Sequence, residues 1–266
     1  MDKQPLVSVI MGVYNAENRV SDCIESIIKQ TYENWEFVIC DDCSTDHTYQ
    51  ILRQYQQKDD RIKIIRNKKN MKLAESLNHC LKEAKGIYVA RMDDDDIAMP
   101  ERFEKQVIFL NENPEYAVVG SNAQISDGQK ITGIRYCKEH PEKTDVLYGP
   151  PYIHPSIMMR KSVYDRLNGY TVASYTKRGQ DWDLWFRFYA AGFRGYNIQG
   201  KLIIYHESPE DYKKRNFRTA LGYMKNAVNG YNLLKVPLWK YVFALKPILS
   251  CLIPETIKKN IRHEKL

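Results

Sequence analysis

Residues 86–96 read GIYVARMDDDD, an apolar run that ends in four consecutive aspartates. The run is typical of a buried strand, and the aspartates follow where that strand should reach the surface. Concentrated negative charge is costly there unless a cation or hydrogen-bond donors compensate it. Because Mg²⁺ and Mn²⁺ are usually held by one or two carboxylates with phosphate oxygens and water, the turn predicts a metal-diphosphate site. A solvated acidic turn is the alternative.

Apolar runs predict three further strands, at residues 6–13, 35–40 and 62–65. Apolar residues between the strands recur at helical spacing, with the clearest stripe at Val20, Cys23, Ile24, Ile27 and Ile28. Strands that alternate with helices indicate βαβ units and an α/β fold with a mostly parallel sheet. After the acidic turn, Pro100 is expected at the first position of another helix.

Polar clusters follow three of the predicted strands, at residues 14–18, 41–46 and 93–96. Ligands of open parallel sheets bind beyond the carboxyl ends of the strands, so the three clusters can converge on one ligand. The sequence contains neither G-x-G-x-x-G nor G-x-x-x-x-G-K-[ST], the glycine-rich phosphate loops. A metal must then neutralise any bound diphosphate, which strengthens the metal interpretation of the acidic turn.

Two rival motifs are present in the first hundred residues. Cys40-x-x-Cys43 lacks two further ligands at zinc spacing, and the intervening Asp41 and Asp42 oppose thiolate formation, so structural cysteines are expected. The six cysteines are irregularly spaced and are expected to be reduced thiols. The pattern D-x-D-x-I at residues 93–97 is similar to the motif of haloacid-dehalogenase-like phosphatases, but there it follows the first strand rather than the fourth.

The second half of the chain is less regular. We expect a strand within residues 129–136, a loop entering a short strand across 152–160, and a helix over 161–167. Further along the chain, residues 180–189 predict an amphipathic helix whose apolar face carries Trp182, Trp185, Phe186 and Tyr189. Asp181 starts this helix, either as an N-cap or as a general base beside an aromatic surface for a sugar ring.

The chain has 266 residues, 43% of them hydrophobic, enough for one large domain or a domain with an appendage. Residues 1–5 show no apolar segment, so a secretory signal is not expected. The net charge of +7 is uneven, because residues 210–266 contain twelve Lys and Arg against four Asp and Glu. This basic tail points to an anionic partner, either a membrane surface or nucleic acid.

The tail is expected to be helical over residues 211–234 and 237–252. The second segment is amphipathic and basic, which is typical either of a helix lying on anionic lipid or of a helix packed on the main domain. No uncharged apolar run reaches the roughly 18 residues of a membrane-spanning helix.

Seven motifs in order make the chain resemble the nucleotide-sugar glycosyltransferases of family 2, which have the GT-A fold. They span residues 6–206 and comprise residues 7–15, 41–46, 70–74, 90–96, 154–156, 180–185 and 205–206. The resemblance implies a GT-A catalytic domain over 1–209, with a Rossmann-like nucleotide-binding half (1–121) and an acceptor half (122–209), followed by a helical C-terminal region (210–266).

The resemblance also assigns roles by position. Asp181 is implied as the general base, and Asp93 and Asp95, with His206, as ligands of Mn²⁺ or Mg²⁺; a structural histidine is the alternative for His206. Trp182 and His154 are expected near the sugar or acceptor, with a structural hydrogen bond as the alternative for His154. The residues expected to contact the nucleotide or its phosphates are Gly12, Tyr14, Asn15, Glu17, Asp41, Asp42, Arg66, Lys72 and Asp94.

The implied reaction is an inverting, metal-dependent transfer of a sugar from a nucleotide-sugar, a UDP-sugar, to a hydroxyl of a glycan or lipid-linked acceptor. The implied location is cytoplasmic, peripheral to the cytoplasmic face of the membrane, and no nucleic-acid partner is expected. A nucleotidyltransferase and a non-catalytic sugar-nucleotide or membrane-binding protein are the alternatives. Cys43 and Lys72 stand where the family commonly has glycine, and Gln180 replaces a frequent glutamate.

Overall fold

The computed structural model describes residues 4–207 and 217–252 of the chain. Its strands are β1 (Val7–Val13), β2 (Trp35–Asp41), β3 (Ile62–Arg66), β4 (Tyr88–Arg91), β5 (Ile97–Ala98), β6 (Val118–Ser126), β7 (Ile131–Arg135), β8 (Met158–Arg160) and β9 (Gly195–His206). Its α-helices are α1 (Val20–Ile28), α2 (Thr48–Lys58), α3 (Leu73–Glu83), α4 (Arg102–Glu112), α5 (Lys161–Arg166), α6 (Gln180–Ala190), α7 (Phe217–Leu233) and α8 (Lys246–Leu252). Short 3₁₀ helices cover Asp145–Leu147, His154–Ser156 and Leu238–Leu245.

The strands of the described residues form one nine-stranded sheet with the order β3-β2-β1-β4-β8-β6-β9-β5, and β7 pairs with β6 at its side. Strands β1 to β4 pair with one another in parallel, as the sequence predicts. Beyond β4 the sheet is mixed, because β8 is antiparallel to both β4 and β6 whereas β9 is parallel to β6. The parallel half therefore carries the three polar clusters at one edge, and the mixed half extends the sheet beside them.

Both faces of the sheet are covered by a hydrophobic core. On β1, Val7, Val9 and Met11 face a core shared with α1 and α4, whereas Ile10 faces a core shared with α3 and α6. This alternation is the period-two pattern of a strand, and burial of both faces explains why β1 reads as a continuous apolar run. The predicted helical stripe of α1 is buried as expected at Val20, Cys23, Ile24 and Ile27.

Several local predictions need correction. Pro100 does not begin a helix, because α4 starts at Arg102. Residues 238–245 form a 3₁₀ helix, whereas a continuous α-helix was expected over 237–252. The mixed half of the sheet was not predicted as strands at all, apart from the segments that became β7 and β8.

Helix α7 packs on the catalytic part of the chain. The Tyr231 hydroxyl donates a hydrogen bond to the Leu147 carbonyl oxygen at 2.6 Å, and Asn226 Nδ2 donates to the Gly179 carbonyl oxygen at 2.8 Å. Gly230 lies so close to the Phe186 ring that an added Cβ would meet ring carbons at 2.2 Å. Helix α7 therefore packs on the main domain, whereas residues 210–216 and 253–266 of the tail lie outside the described ranges.

Among the described helices, none is long and apolar enough to cross a membrane.

Candidate active site

The loops after β1 and β2 are joined by a network of hydrogen bonds. The backbone N–H of Asn15 donates to Ser44 Oγ at 3.0 Å, and the Asn15 side-chain oxygen accepts the N–H of Thr45 at 2.9 Å. Glu17 Oε2 accepts the N–H of His47 at 2.9 Å. Tyr14, at the start of this network, keeps 43% of its surface exposed, so its ring is available to a planar ligand.

Asp41 anchors the loop after β2. Sheet register places it beside Val13 on one side and Arg66 on the other. Arg66 Nε lies 3.0 Å from Asp41 Oδ2, and the guanidinium covers the Tyr49 ring at 4.1 Å from the ring centroid. Arg66 was expected to reach a phosphate; the structure pairs its guanidinium with the fully buried Asp41.

Asp42 holds the segment that leads into helix α3, which begins at Leu73. Its carboxylate accepts hydrogen bonds from the backbone N–H groups of Met71 at 2.7 Å and Lys72 at 2.8 Å, and from Asn67 Nδ2 at 2.8 Å. These three bonds fix the position of the carboxylate. Each carboxylate oxygen has two lone pairs, so Asp42 retains acceptor capacity for a nucleobase N–H.

Gly12 allows α3 to approach β1. A Cβ at Gly12 would lie 2.9 Å from Leu73 Cδ1, closer than side-chain carbons come in proteins. In the structure, Gly12 is a position of close packing between strand and helix, and its contact with nucleotide stays a prediction.

Three residues of these loops have a positive φ, a backbone conformation that is costly for residues other than glycine. Asn15 has φ of 51°, Cys43 of 64° and Lys72 of 75°. At Lys72, ψ is 164°, a combination that almost only glycine adopts. The strain clusters at one edge of the sheet, where the sequence predicts nucleotide binding, and such clustering is common at binding sites.

The acidic turn connects β4 to β5, and its carboxylates have different partners. Asp93 Oδ1 lies 2.5 Å from Arg91 Nη2, and Asp94 Oδ1 lies 3.5 Å from Arg19 Nε. Asp96 is fully buried and accepts the backbone N–H of His206 at 2.8 Å. This bond ties the turn to the end of β9.

Burial is the largest influence on the pKa values of Asp94 and Asp96 in the turn. It raises the pKa of Asp94 to about 7, with Arg19 opposing the shift. Burial, followed by the charges of Asp93 and Asp95, raises the pKa of Asp96 well above its ordinary range. Asp96 Oδ2 has no hydrogen-bond partner, so this cluster is short of positive charge or donors.

Two buried arginines behind the turn were not singled out from the sequence. Arg91 Nη1 donates to the Met92 carbonyl oxygen, and Arg102 Nη2 donates to the Arg91 carbonyl oxygen at 2.9 Å and to the Ile157 carbonyl oxygen at 3.2 Å. Burial lowers the pKa of Arg102 to about 9. Together these arginines hold the backbone of the turn against the loop of residues 154–157. The only signal in the sequence was a pair of arginines flanking an acidic run, which is also typical of a solvated surface.

The turn fits a divalent metal. Its carboxylate oxygens are the hard ligands that Mg²⁺ and Mn²⁺ prefer, and Asp96 Oδ2 is buried without a partner. Within residues 4–207 and 217–252, no group of three or more His, Cys, Asp or Glu side chains is placed to hold a metal by protein ligands alone. Two carboxylates with phosphate oxygens and water do not need a third protein ligand. A metal contact by His206 therefore stays a prediction, as do the contacts of Asp93 and Asp95.

A cavity of about 690 Å³ opens beside the turn, and the acidic turn and helix α6 both reach it. Its lining includes Arg91 and Asp93 of the segment around the turn, and Gln180 and Asp181 of helix α6. Tyr223 of α7 also lines the cavity, a contribution from the tail that the sequence did not suggest. The residues predicted for metal and for proton transfer thus share one space.

Asp181 lies in the first turn of α6, one residue inside the helix, since Gly179 occupies the N-cap position. The N-cap alternative for Asp181 is therefore wrong. Burial raises the pKa of Asp181 from 3.8 to about 6, with the backbone N–H groups of Trp182 and Asp181 opposing the shift. A carboxylate with this pKa is a stronger base than an exposed aspartate, while it remains ionised at neutral pH.

His154 and Trp182 differ in their relation to the cavity. His154 lines it, but Nε2 is bonded to the Tyr170 hydroxyl at 2.9 Å, and burial keeps the pKa of His154 well below its ordinary range. Trp182 is not among the lining residues; its indole N–H donates to the Val146 carbonyl oxygen at 2.7 Å, and its ring packs between Phe186 and Tyr223. Trp182 thus has a role in packing, and its contact with a sugar stays a prediction.

The sequence profile of Glycosyl transferase family 2 matches residues 8–168. The chain belongs to this family. It is 43% identical to EpsE of Bacillus subtilis (strain 168) over all of this chain and 98% of that protein. It is 39% identical, over 48% of this chain and 49% of the other, to the Escherichia coli UDP-Glc:alpha-D-GlcNAc-diphosphoundecaprenol beta-1,3-glucosyltransferase WfgD.

The glycosyltransferase also has the fold of a solved mannosyltransferase. The mannosyltransferase PcManGT of Pyrobaculum calidifontis, in complex with GDP-Man and Mn²⁺, aligns over 94% of this chain and 76% of its own with a TM-score of 0.67 and 16% identity. The GT-A fold and a glycosyltransferase activity, both expected from the sequence, are confirmed. The nucleotidyltransferase, phosphatase and non-catalytic alternatives are set aside.

Proposed function

We propose that this glycosyltransferase moves a sugar from a UDP-sugar to a hydroxyl of a lipid-linked saccharide, with inversion at the anomeric carbon and with the help of Mn²⁺ or Mg²⁺. The observation that carries the proposal is the shared cavity of Asp93 and Asp181. Donor phosphates and acceptor hydroxyl can meet there between a metal-binding turn and a base.

On the donor side, the nucleobase lies against Tyr14, and its N–H bonds Asp42, whose carboxylate is held rigid by Met71 and Lys72. Asp41 and Arg66 keep the loop in place. Asp94 faces the ribose. A divalent metal on Asp93 and Asp95 supplies charge neutralisation for the departing diphosphate.

On the acceptor side, Asp181 takes the proton of the attacking hydroxyl. The acceptor oxygen forms a bond to the anomeric carbon while the bond from that carbon to the diphosphate oxygen breaks, so the nucleoside diphosphate leaves with the bonding electrons. One displacement with one base produces inversion. Base assistance of this kind is typically worth ~10²–10⁴ in rate.

Two comparisons support the choice of substrates. The name of WfgD states a UDP-sugar donor and a diphosphoundecaprenol-linked acceptor. PcManGT was crystallised with Mn²⁺. An acceptor anchored in lipid would bring the enzyme to a membrane surface, and we include a peripheral membrane location in the proposal.

The proposal is tested with a panel of UDP-, GDP- and dTDP-sugars, a lipid-diphosphate-linked saccharide acceptor, and either Mn²⁺ or a chelator. We expect transfer from a UDP-sugar that stops with the chelator and returns with Mn²⁺, and a product of inverted anomeric configuration by NMR. Asp181→Asn should abolish most transfer while donor binding persists, and Asp165→Asn, an exposed carboxylate of α5, is the matched control. Retention of configuration, or full turnover by Asp181→Asn, contradicts the proposed mechanism.

A further inference from the structure

The 3₁₀ helix Leu238–Leu245 presents an apolar row to solvent. Side chains three residues apart align on a 3₁₀ helix, so Trp239, Val242 and Leu245 form a single row. Trp239 is 69% exposed and the preceding Leu238 is 84% exposed. Val242, Leu245 and, in α8, Leu249 are exposed as well. A contiguous exposed apolar row of this kind marks an interaction surface rather than chance exposure.

A basic cleft adjoins the row. It has a volume of about 190 Å³, and Lys143, Lys235 and Lys240 line it over an apolar floor that includes Leu147 and Val236. The ammonium of Lys240 lies 5.2 Å from the centroid of the Trp239 ring, so the cleft and the row touch.

The cleft lysines are not neutralised by neighbouring carboxylates. The nearby Asp145 and Glu142 instead pair with Lys138, at 3.0 Å and 3.7 Å. In the part of the chain that the structure describes, no acidic side chain forms an ion pair with Lys143, Lys235 or Lys240. The sequence beyond the described residues adds four further Lys and Arg against two Glu, at positions 253–266.

The surface is connected to the active site through residues 144–148. Thr144 and Leu147 line the basic cleft, whereas Asp145 and Tyr148 line the large cavity. The Tyr148 ring lies 5.0 Å from the Phe243 ring, and the carbonyl oxygen of Tyr148 accepts Lys246 Nζ at 3.3 Å.

We infer that the apolar row and the basic cleft together dock the enzyme on an anionic lipid bilayer. Lysine ammonium groups bind the lipid phosphates, and the apolar row enters the boundary between headgroups and acyl chains, where tryptophan is preferred. The functional reason for this docking rests on the proposed lipid-linked acceptor. Docking through residues 238–249 brings Tyr148, at the rim of the large cavity, to the bilayer from which that acceptor projects. A solvent-exposed row with no charge beside it would fit a protein partner equally well; the cleft lysines favour lipid.

Flotation of the full chain with vesicles tests the inference. We expect binding to phosphatidylcholine vesicles that contain phosphatidylglycerol and little binding to phosphatidylcholine alone. A triple variant, Lys143→Gln with Lys235→Gln and Lys240→Gln, should bind about a hundredfold more weakly, because each lysine near an anionic surface contributes about fivefold. Trp239→Ser with Val242→Ser should weaken binding at least tenfold.

Matched controls carry the same changes elsewhere on the surface. They are Lys58→Gln with Lys82→Gln and Lys85→Gln, and Ile87→Ser with Ile108→Ser, all at exposed positions. These variants should float like the wild type. Circular dichroism shows whether each variant is folded, and transfer to a water-soluble acceptor should be the same in all of them.

Three results overturn the inference. The first is that the wild type does not float with anionic vesicles, and the second is that the surface and control variants float equally. The third is that light scattering detects a dimer, which Trp239→Ser with Val242→Ser dissociates without any change in flotation. Failure of the proposed function appears separately, as absence of transfer from every nucleotide-sugar, and leaves the flotation result standing.

Discussion

Arg91 Nη2 lies 2.5 Å from Asp93 Oδ1, so a guanidinium that is 1% exposed is neutralised by one of the two carboxylates expected to hold the metal. Asp93 therefore neutralises a buried guanidinium in addition to its proposed contact with the metal. We predict that Asp93→Asn lowers the free energy of unfolding by about 1–3 kcal/mol, because it leaves a buried charge without its partner.

Urea unfolding measures this change without metal or donor. Glu101→Gln is the control, since it removes an exposed partner of Lys105 and should change stability by less than about 0.5 kcal/mol. Equal stability of Asp93→Asn and the wild type would show that Arg91 does not depend on Asp93.

The pH dependence of transfer should report Asp181. Because its pKa lies at about 6, kcat/KM should rise as the pH increases through 6 and level off above pH 7. The residual activity of Asp181→Asn should lack this rise. A profile measured from pH 5 to pH 8 at saturating Mn²⁺ distinguishes the two, and a rise centred near pH 4 would mean that Asp181 is not the titrating base.

The raised pKa of Asp181 has the opposite effect on stability: activity rises with pH, whereas the free energy of unfolding falls. The folded protein holds the proton of Asp181 more tightly than the unfolded chain, whose pKa is near 3.8, so ionisation destabilises the fold progressively as the pH rises from about 4 to about 6. Asp181→Asn should therefore be more stable than the wild type at pH 8, by up to about 3 kcal/mol, and similar at pH 3.5. Thermal unfolding at the two pH values checks the difference.

Lys72 should be a position where activity and stability conflict. Its φ of 75° and ψ of 164° suit glycine, so Lys72→Gly should stabilise the fold by about 1 kcal/mol. Lys69→Gly is the control, because Lys69 is also exposed but has no left-handed backbone, and it should stabilise nothing. If the Lys72 ammonium binds donor phosphate, as the sequence predicts, Lys72→Gly also raises the KM for the donor. An unchanged KM would show that Lys72 does not contact the donor.

Two glycines of α7 offer a matched test of how the tail packs. A Cβ at Gly230 would overlap the Phe186 ring, whereas a Cβ at Gly222 would lie 3.5 Å from the Tyr175 carbonyl oxygen, an ordinary contact. Gly230→Ala should destabilise the protein by about 1–3 kcal/mol, and Gly222→Ala should stabilise it by about 0.5–1 kcal/mol through the helix. If both variants match the wild type in urea unfolding, α7 does not belong to the core.

Strands β1, β2 and β4 of the parallel half were predictable because they are buried on both faces. A nearly continuous apolar run such as residues 7–13 has few other interpretations. Strand β9 was not predicted, since Gly195–His206 mixes polar and apolar residues and is exposed at its centre. Its place in the sheet depends on pairing with β6, whose register shifts near Asn122, and no local pattern reveals a partner so far away in sequence.

The candidate site shows the same division. Asp42 and Asp181 drew notice because a carboxylate at the end of a strand or the start of a helix stands out in sequence, and their roles stay predictions. The packing of Trp182 against Phe186 and Tyr223 was not foreseen, because helical spacing reveals which side chains share a face but not what that face contacts. Tyr223 and Arg102 were missed for a related reason: their contacts with the cavity and the acidic turn arise only from the packing of distant elements.

The pairing of β5 with β9 has a consequence for the order in which the molecule is made. Residues 97–98 find their only sheet neighbour among the described strands at residues 203–204, and Asp96 is tied to His206. During synthesis, the nucleotide-binding strands can pair as soon as they emerge from the ribosome, but the acidic turn must wait for another hundred residues or so before β9 closes it. A nascent or truncated chain ending before residue 203 lacks the β9 contacts of the acidic turn, so the proposed metal site forms only when the sheet is complete.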